Sequence, residues 1–320
     1  MRALFVTDSL PGLDPAIDAS VGLMAATQDL GGRVSVCGPE DLAVVDGRVQ
    51  ARAVRLELHE RARGTDHRWL LPPRWYDAAR ARLLDVADRF DVVHLRIDPP
   101  VTARYLHTTY LLDLVERLGT RVVNRPSGVR ALHEKLIALH FPELCPATVV
   151  SACPATLREF VAKVGTAVVK PVDGFAGNGV WLVEDGPAAT ALVESATRGG
   201  RTHAIAQEHL ASVSAGNKRL FVVNGQIAGA VLRRPSHEDF RIGPPVAAAP
   251  VNAADAAIVD ALRPLLIEHG IAVAGLDVID DCLIEVNVTC PGGMHKTDAL
   301  LGTDLSRTIV RRLSSQGGSP

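Results

Sequence analysis

Short apolar runs alternate with helical spacing at the start of the chain. Residues 2–7 (RALFVT) and 33–37 have the composition of strands, and apolar residues recur at helical spacing over 16–30, before Gly31-Gly32. This order predicts a βαβ unit. Because no glycine fingerprint follows the first strand, the pattern does not support a dinucleotide-binding fold.

The next apolar run leads to a charged pair. We expect a polar, irregular segment over 52–73, a helix over 76–90 and a buried strand over 91–95, followed by RIDPP. Ligands bind at the carboxyl ends of strands in open α/β sheets, so Arg96 and Asp98 are candidates for holding a charged substrate. The pattern is equally compatible with an Arg–Asp pair that caps the following helix.

The middle of the chain places two lysines near a glycine-rich segment. Lys135 falls in a helix predicted over 128–140, and Lys170 lies at the end of an apolar strand predicted over 166–171. Burying a lysine is unfavourable unless an anion accompanies it. The following segment DGFAGNG lets backbone N–H groups approach phosphate closely. The pattern indicates a phosphate site, since a plain hairpin turn would not need the lysine.

Two hairpins are predicted in the last third of the chain. Asn224-Gly225 is typical of a two-residue turn, here between strands over 217–223 and 226–233. We expect a polar loop over 236–250 and a helix over 253–269. The first hairpin brings Arg219 to the same end of a sheet as Arg233 and Arg234. Surface arginines usually carry no function, but three of them near Lys170 and carboxylates favour a polyphosphate site.

The second hairpin joins apolar runs over 272–279 and 283–288. A three-residue loop at 280–282 places one apolar set on a single face and puts Asp277 opposite Glu285, with Asn287 beside them. A slip of one residue would scatter both sets, so burial of the apolar face favours this register.

Like charges on directly opposite residues of a sheet destabilise it, by roughly 4 kcal/mol at about 4 Å for an effective dielectric near 20. Two carboxylates and an amide oxygen form a hard-ligand set that suits Mg²⁺ or Mn²⁺ bridging a phosphate chain. The alternative is an exposed hairpin whose polar side chains face water.

Composition narrows the class of protein. The chain has 320 residues, 47% of them hydrophobic and 22% charged, and a formal net charge of -2, so it has no basic field for nucleic acid. No apolar run is long enough to cross a bilayer. The N-terminus becomes polar too soon for a secretory signal, so we expect a cytoplasmic protein. Five cysteines without C-x2-C spacing argue against structural zinc and a disulfide framework.

Taken together, the motifs resemble the ATP-grasp superfamily, and within it bacterial glutathione synthetase. The matching segments run in order over about residues 91–291: RIDPP, YLHTTYLL, VVNRPSGVRALHEKL, VVKPVDGFAGNGV, AQEHL, GNKRLFVVNGQ, VLRRP and GLDVIDDCLIEVNVTCP.

The resemblance implies an α/β fold in three parts. These are an N-terminal βαβ-type domain over 1–121, a small lid over 122–202 and a C-terminal antiparallel-sheet domain with the metal site over 203–320, with ATP held between two antiparallel sheets. It also implies an ADP-forming ligase that joins a carboxylate to an amine and forms homo-oligomers. A carboxylate is activated as an acyl phosphate and then accepts an amine, so no side-chain nucleophile is required.

The resemblance also assigns residues to roles. Asp277, Glu285 and Asn287 would hold two magnesium ions, and Arg219, Arg233 and Arg234 are the catalytic candidates. Arg219, Arg233 or the backbone N–H groups of Gly292 and Gly293 would stabilise an oxyanion. The nucleotide-binding candidates are Lys135, Lys170, Gly174, Phe175, Ala176, Gly177, Gln207, Glu208, His209, Leu210 and Asn217. The substrate-binding candidates are Arg96, Asp98, Arg241, Cys290, Gly292 and Gly293.

The departures from the family pattern lie toward the substrate. Thr102 and Asn217 stand where the family has aspartate, SHEDFRIGPPVAAAP replaces a glycine-rich segment, and CPGGMHK replaces S-P-T and its arginine. Asp239-Phe240-Arg241 resembles the pattern of another ATP-grasp peptide ligase. We therefore predict a ligase that joins the carboxylate of an amino acid or γ-glutamyl dipeptide to an amino acid amine, with an altered substrate and a role in specialised metabolism. The alternatives are housekeeping glutathione synthesis, a non-catalytic ATP-binding module and a kinase that phosphorylates a carboxylate without ligation.

Overall fold

The computed structural model describes residues 1–64, 68–174, 177–236 and 239–315. In its first part, the elements in chain order are β1 (Arg2–Thr7), α1 (Ala19–Asp29), β2 (Arg33–Cys37), β3 (Leu42–Val45), β4 (Arg48–Leu58), β5 (Ala62–Arg63), β6 (Trp69–Leu70), β7 (Tyr76–Ala78), β8 (Arg82–Asp85), α2 (Val86–Arg89), β9 (Val92–Arg96), α3 (Ala103–Arg117), β10 (Arg121–Val123) and α4 (Pro126–Ala131).

The remaining elements are β11 (Thr148–Ser151), α5 (Pro154–Val164), β12 (Thr166–Pro171), β13 (Trp181–Glu184), α6 (Pro187–Ala196), β14 (Ala204–Glu208), β15 (Asn217–Val223), β16 (Gln226–Ser236), β17 (Asp239–Ala248), α7 (Ala253–Glu268), β18 (Val273–Ile279), β19 (Cys282–Asn287), α8 (Met294–Leu301) and α9 (Leu305–Ser314). Within the described ranges, no helix has both the length and the apolar character that spanning a bilayer requires.

The first sheet has a parallel centre, as the βαβ pattern predicts. Strands β10, β9, β1 and β2 run parallel, and the antiparallel strands β4 and β3 extend the order to one edge. Residues of β1 and β9 are buried on both faces, which explains why apolar residues predominate in both strands. Thr7 pairs with Arg96, so the carboxyl ends of β1 and β9 meet at the same edge.

Two predictions for this part of the chain are wrong. The segment over 52–73 was expected to be irregular, but β4 continues to Leu58 and alternates buried with exposed residues, its arginines lying on the wet face. The helix expected over 76–90 is instead β7 and β8, both paired with β4, followed by the single turn α2. In both places pairing with β4 overrides the local pattern.

Two antiparallel sheets follow. The four-stranded sheet has the order β11-β14-β12-β13 and packs on α5 and α6, and the five-stranded sheet has the order β17-β16-β15-β18-β19. Strand β17 occupies most of the segment predicted as a loop over 236–250, because β16 offers it a partner. The domain boundaries near residues 121 and 202 stay predictions.

Helix α8 contacts the first part of the chain through His295. The imidazole stacks on Trp69 with ring centroids 5.2 Å apart, and its Nε2 lies 3.2 Å from the carbonyl oxygen of Pro15. Gly22 in α1 leaves the space for it, since a Cβ there would lie 2.7 Å from the His295 Cβ. Burial lowers the pKa of His295 to about 4. The neutral ring therefore fixes α8 against α1.

We predict that His295 makes stability fall in mild acid. An unfolded histidine titrates near 6.5, so protonation favours the unfolded chain as pH falls from about 6.5 toward 4. Between pH 7.5 and 5.5 this one group should remove about 1 kcal/mol of unfolding free energy. Urea titrations of wild type and His295→Gln measure the difference. His94, whose pKa burial lowers to about 3, contributes to both proteins alike. Equal pH dependence in the two proteins would contradict this account.

Candidate active site between the antiparallel sheets

The hairpin of β18 and β19 sets the geometry of the site. Asp277 pairs with Glu285 and Gly275 with Asn287, as predicted. The predicted three-residue loop is wrong, because Ile279 pairs with Cys282 across a two-residue turn. Asp280 and Asp281 both adopt positive φ, 51° and 58° respectively, as aspartate does more readily than most residues. A bulge between Asp277 and Val278 absorbs the extra residue and restores the expected pairing of the carboxylates.

Two arginines neutralise the Asp277 carboxylate. The Arg219 Nε donates to Oδ1 at 2.6 Å and its Nη2 to Oδ2 at 2.9 Å, while Nη2 of Arg233 donates to Oδ1 at 2.5 Å. Although burial alone would raise it, these guanidinium groups lower the pKa of Asp277 to about 2. We expected a metal cation to offset the repulsion between the facing carboxylates of Asp277 and Glu285. Arg219 and Arg233 provide part of that positive charge.

The other two members of the set remain suited to a cation. Burial raises the pKa of Glu285, while Lys135 and Lys170 oppose that rise. Asn287 directs Nδ2 at the carbonyl oxygen of Gly275, 3.1 Å away, and so keeps its amide oxygen as an acceptor. No three His, Cys, Asp or Glu side chains cluster as a metal site within the described ranges. The set therefore fits Mg²⁺ only with the Asn287 oxygen and phosphate oxygens as further ligands.

The lysines lie across from these carboxylates. Lys170, 7% exposed, donates to Oε1 of Gln207 at 3.2 Å, and burial lowers the pKa of Lys170 against the pull of Glu285. Gln207 in turn donates to Oγ1 of Thr148 at 3.0 Å, so its side chain orients the lysine. The Lys135 ammonium donates to the carbonyl oxygens of Val172 and Gly174 and so contacts the glycine-rich segment directly.

These side chains line a cavity of about 280 Å³ between the two antiparallel sheets. Most of the predicted nucleotide, metal and catalytic residues share its wall: Lys135, Lys170, Gly174, Gly177, Gln207, Glu208, His209, Leu210, Asn217, Arg219, Arg233, Asp277, Glu285 and Asn287. Arg241, predicted to bind substrate, also lies here, where it donates to the carbonyl oxygen of Gly177 at 3.4 Å. Phe175 and Ala176 lie outside the described residues.

A second cavity, of about 440 Å³, adjoins the first. Four of the predicted substrate residues line it, namely Asp98, Cys290, Gly292 and Gly293. The two cavities share Gly174, Arg219, Arg233, Glu285 and Asn287. A group bound in one cavity is therefore adjacent to a group bound in the other.

Two predicted residues lie away from both cavities. Arg96 is buried and donates to Oγ of Ser20 and to the carbonyl oxygen of Pro291, each at 3.2 Å, so it supports the segment before Gly292. Arg234 is exposed and donates to the carbonyl oxygen of Ala215 at 3.3 Å. Strand alternation explains why Arg234 points away from its neighbour Arg233.

Sequence reasoning missed Glu134. Its Oε1 accepts from the backbone N–H groups of Val288 and Thr289 at 2.9 and 2.8 Å and from the Thr289 hydroxyl at 2.6 Å. The Glu134 carbonyl also accepts from Val286 N at 3.1 Å, and the helix predicted over 128–140 ends at Ala131. Lys135 is therefore placed by pairing with the end of β19. A glutamate directly before a phosphate-site lysine was the only signal.

Sequence reasoning also missed the residues of β17 that line the second cavity. Gly243, Pro244 and Pro245 line the second cavity. The composition of this segment was typical of a loop, and only its pairing with β16 shows that it is a strand.

Two lysines that face an acidic set on adjacent strands, across a cavity between two antiparallel sheets, are arranged as in the ATP-grasp fold, and solved structures share this fold. D-cycloserine synthetase DcsG has a TM-score of 0.65 at 19% identity, covering 99% of this chain and 100% of that one. The ATP-grasp ligase PsnB, complexed with minimal precursor, Mg and ADP, has a TM-score of 0.60 at 16% identity, covering 99% and 98%. The family models and relatives described next show that the chain is an ADP-forming carbon–nitrogen ligase of this class.

Within that class, the chain belongs to the prokaryotic glutathione synthetase family. Models of that family match its N-terminal domain at residues 1–130 and its ATP-grasp domain at residues 134–302. The glutathione synthetase of Thermosynechococcus vestitus is 37% identical over 320 residues, covering 98% of this chain and 100% of the relative. That of Synechocystis sp. is 34% identical over 321 residues, covering 99% and 100%. The resemblance seen in the motifs is thereby confirmed.

Asp277 and Glu285 should differ in their effect on stability. Asp277→Asn leaves Arg219 and Arg233 buried without a counter-charge, so the free energy of unfolding should fall by about 3 kcal/mol. Glu285→Gln is the matched control, because burial already disfavours the charged form of Glu285. Its stability should stay within about 1 kcal/mol of wild type. Urea denaturation at pH 7 measures both, and an equal loss in the two variants would contradict the assignment.

Proposed function

We propose that this enzyme is a glutathione synthetase, joining the carboxylate of γ-glutamylcysteine to the amine of glycine with conversion of ATP to ADP and phosphate. The observation that carries the proposal is a whole-chain match to glutathione synthetases, in a site where a nucleotide cavity and a second cavity share one wall. This match favours glutathione synthesis over the specialised ligase that we predicted first. It also favours catalysis over a non-catalytic ATP-binding module.

The positively charged lysines of the first cavity suit the triphosphate of ATP. Lys135 and Lys170 lie opposite Asp277 and Glu285, and the N–H groups of Gly174 and Gly177 would complete the phosphate cradle. Asp277, Glu285 and Asn287 would hold Mg²⁺, which supplies charge neutralisation on the β- and γ-phosphates when bound. Adenine would lie near the backbone of residues 207–210, at the end of β14.

The shared wall suits the acyl-transfer chemistry. In the first step a carboxylate oxygen of γ-glutamylcysteine bonds to the γ-phosphorus, the bond to the β-phosphate oxygen breaks, and ADP leaves. In the second step the glycine amine bonds to the acyl carbon, the carbon–oxygen bond to phosphate breaks, and the amine loses its proton. Arg219 and Arg233, on the wall between the cavities, stabilise the oxyanion of that step.

The residues that line the second cavity support a second candidate function. The second cavity carries the departures noted in the sequence, including Cys290, Gly292 and the prolines of β17. They favour a ligase of the same chemistry whose amino acid or dipeptide substrates differ from those of glutathione synthesis. A second magnesium ion, the use of Mn²⁺, a homo-oligomeric state and a cytoplasmic location stay predictions.

The proposed function predicts dual substrate dependence. ADP release, measured by coupled spectrophotometry with Mg²⁺ and ATP, should require both γ-glutamylcysteine and glycine, and the product should have the mass of glutathione. A panel of other dipeptides and amino acids serves as the control. Activity with another pair and none with γ-glutamylcysteine plus glycine would establish the altered ligase instead.

Loss of one of the three proposed metal ligands, Asp277, Glu285 and Asn287, should strongly reduce that turnover. Asn287→Leu, similar in size and without an acceptor, should lower kcat/KM by about two orders of magnitude, since even residues that only hydrogen-bond a metal ligand contribute roughly 10- to 100-fold. Cys282→Ala, on the same strand but away from the carboxylates, is the control. A variant at Asn287 that retains full turnover would contradict the role of the set.

A further inference from the structure

The two arginines on Asp277 differ in how firmly each is placed. Arg219 lies on β15 directly opposite Asp277, and β15 is paired with a strand on each side. Its guanidinium takes both carboxylate oxygens as a fork. Gly275 leaves room for this guanidinium, since a Cβ there would lie 3.1 Å from its Nη1. Arg219 is therefore built into the sheet.

Arg233 reaches the same carboxylate from β16, one strand further away. Only its Nη2 makes the contact, shared between Oδ1 of Asp277 at 2.5 Å and Oδ1 of Asn217 at 2.9 Å. Its Nε is buried and finds no acceptor among the described residues. The pairing of β16 with β17 shifts register on both sides of Arg233. Fewer fixed contacts therefore have to break for Arg233 to move.

We propose that a divalent cation and Arg233 compete for Asp277, and that Arg233, once displaced, binds the substrate carboxylate in the second cavity. A cation at this carboxylate is repelled by both guanidinium groups. The guanidinium of Arg233 is the more weakly held, so it is the one that moves away. The identity of the substrate rests on the proposed function, whereas the competition does not.

The second cavity is the place into which the displaced Arg233 side chain can move. Arg233 lies on the wall that the two cavities share, and three carboxylates, those of Asp98, Glu134 and Glu285, line the second one. A substrate carboxylate entering there needs a cation, and the fork of Arg219 is committed to Asp277. Binding of the cation and binding of the substrate carboxylate therefore strengthen each other, by reciprocal linkage.

Calorimetry on the full-length protein tests the competition directly. Mg²⁺ is titrated into protein mixed with AMP-PNP, for wild type, Arg233→Gln and Arg234→Gln. Arg234 is the matched control, because it carries the same charge one residue away, is exposed and lies outside both cavities. Arg233→Gln should bind Mg²⁺ about fivefold tighter than wild type, and Arg234→Gln should match wild type. Weaker Mg²⁺ binding by Arg233→Gln would overturn the proposal.

A second titration tests the destination. γ-Glutamylcysteine should bind wild type about tenfold tighter when Mg²⁺ and AMP-PNP are present, and Arg233→Gln should lose this coupling. Thermal melting shows whether the variants are folded. If Arg233→Gln is not folded, the test uses wild type alone. γ-Glutamylcysteine must then tighten the binding of Mg²⁺ to wild type by the same factor. An absence of this coupling overturns the proposal. If wild type fails to bind γ-glutamylcysteine at all, the proposed substrate is wrong and the Mg²⁺ titration alone judges the competition.

Discussion

A carboxylate buried between two guanidinium groups is the constraint on which the site depends. Asp277 is 7% exposed and stays ionised because Arg219 and Arg233 reach it from two neighbouring strands. Replacing that charge leaves two buried cations, so the sheet order β16-β15-β18 and the ionised carboxylate require each other. The same arrangement sets Asp277 opposite Glu285 on β19 and thereby faces the acidic set toward the lysines.

The elements whose signal is local could be read from the sequence. The strand that ends in Lys170, the turn at Asn224-Gly225 and the pairing of Asp277 with Glu285 follow from apolar periodicity and turn chemistry. The turn at residues 280–281 was misread because a bulge restores the same pairing with a shorter loop. Periodicity alone does not distinguish these two solutions.

The elements that depend on distant partners could not be read. Strand β17 has the composition of a loop and exists through pairing with β16, and β7 and β8 exist through pairing with β4. Glu134 acts at the far end of β19, more than 150 positions away. Arg96 was assigned from its place at the carboxyl end of a strand, and Arg234 from its place beside Arg233 in a hairpin. In the structure Arg96 supports the segment before Gly292, and Arg234 is exposed. Apart from that of Arg234, which strand alternation explains, each of these errors concerns a long-range contact.

The most direct test of the account is the metal affinity of the acidic set itself. EPR titration of Mn²⁺ in the presence of AMP-PNP reports this affinity without turnover. The account predicts that Glu285→Gln, which removes a ligand without unpairing an arginine, weakens Mn²⁺ binding by roughly tenfold or more relative to wild type. Unchanged Mn²⁺ affinity in that variant would contradict the claim that the carboxylates of β18 and β19 hold the cation.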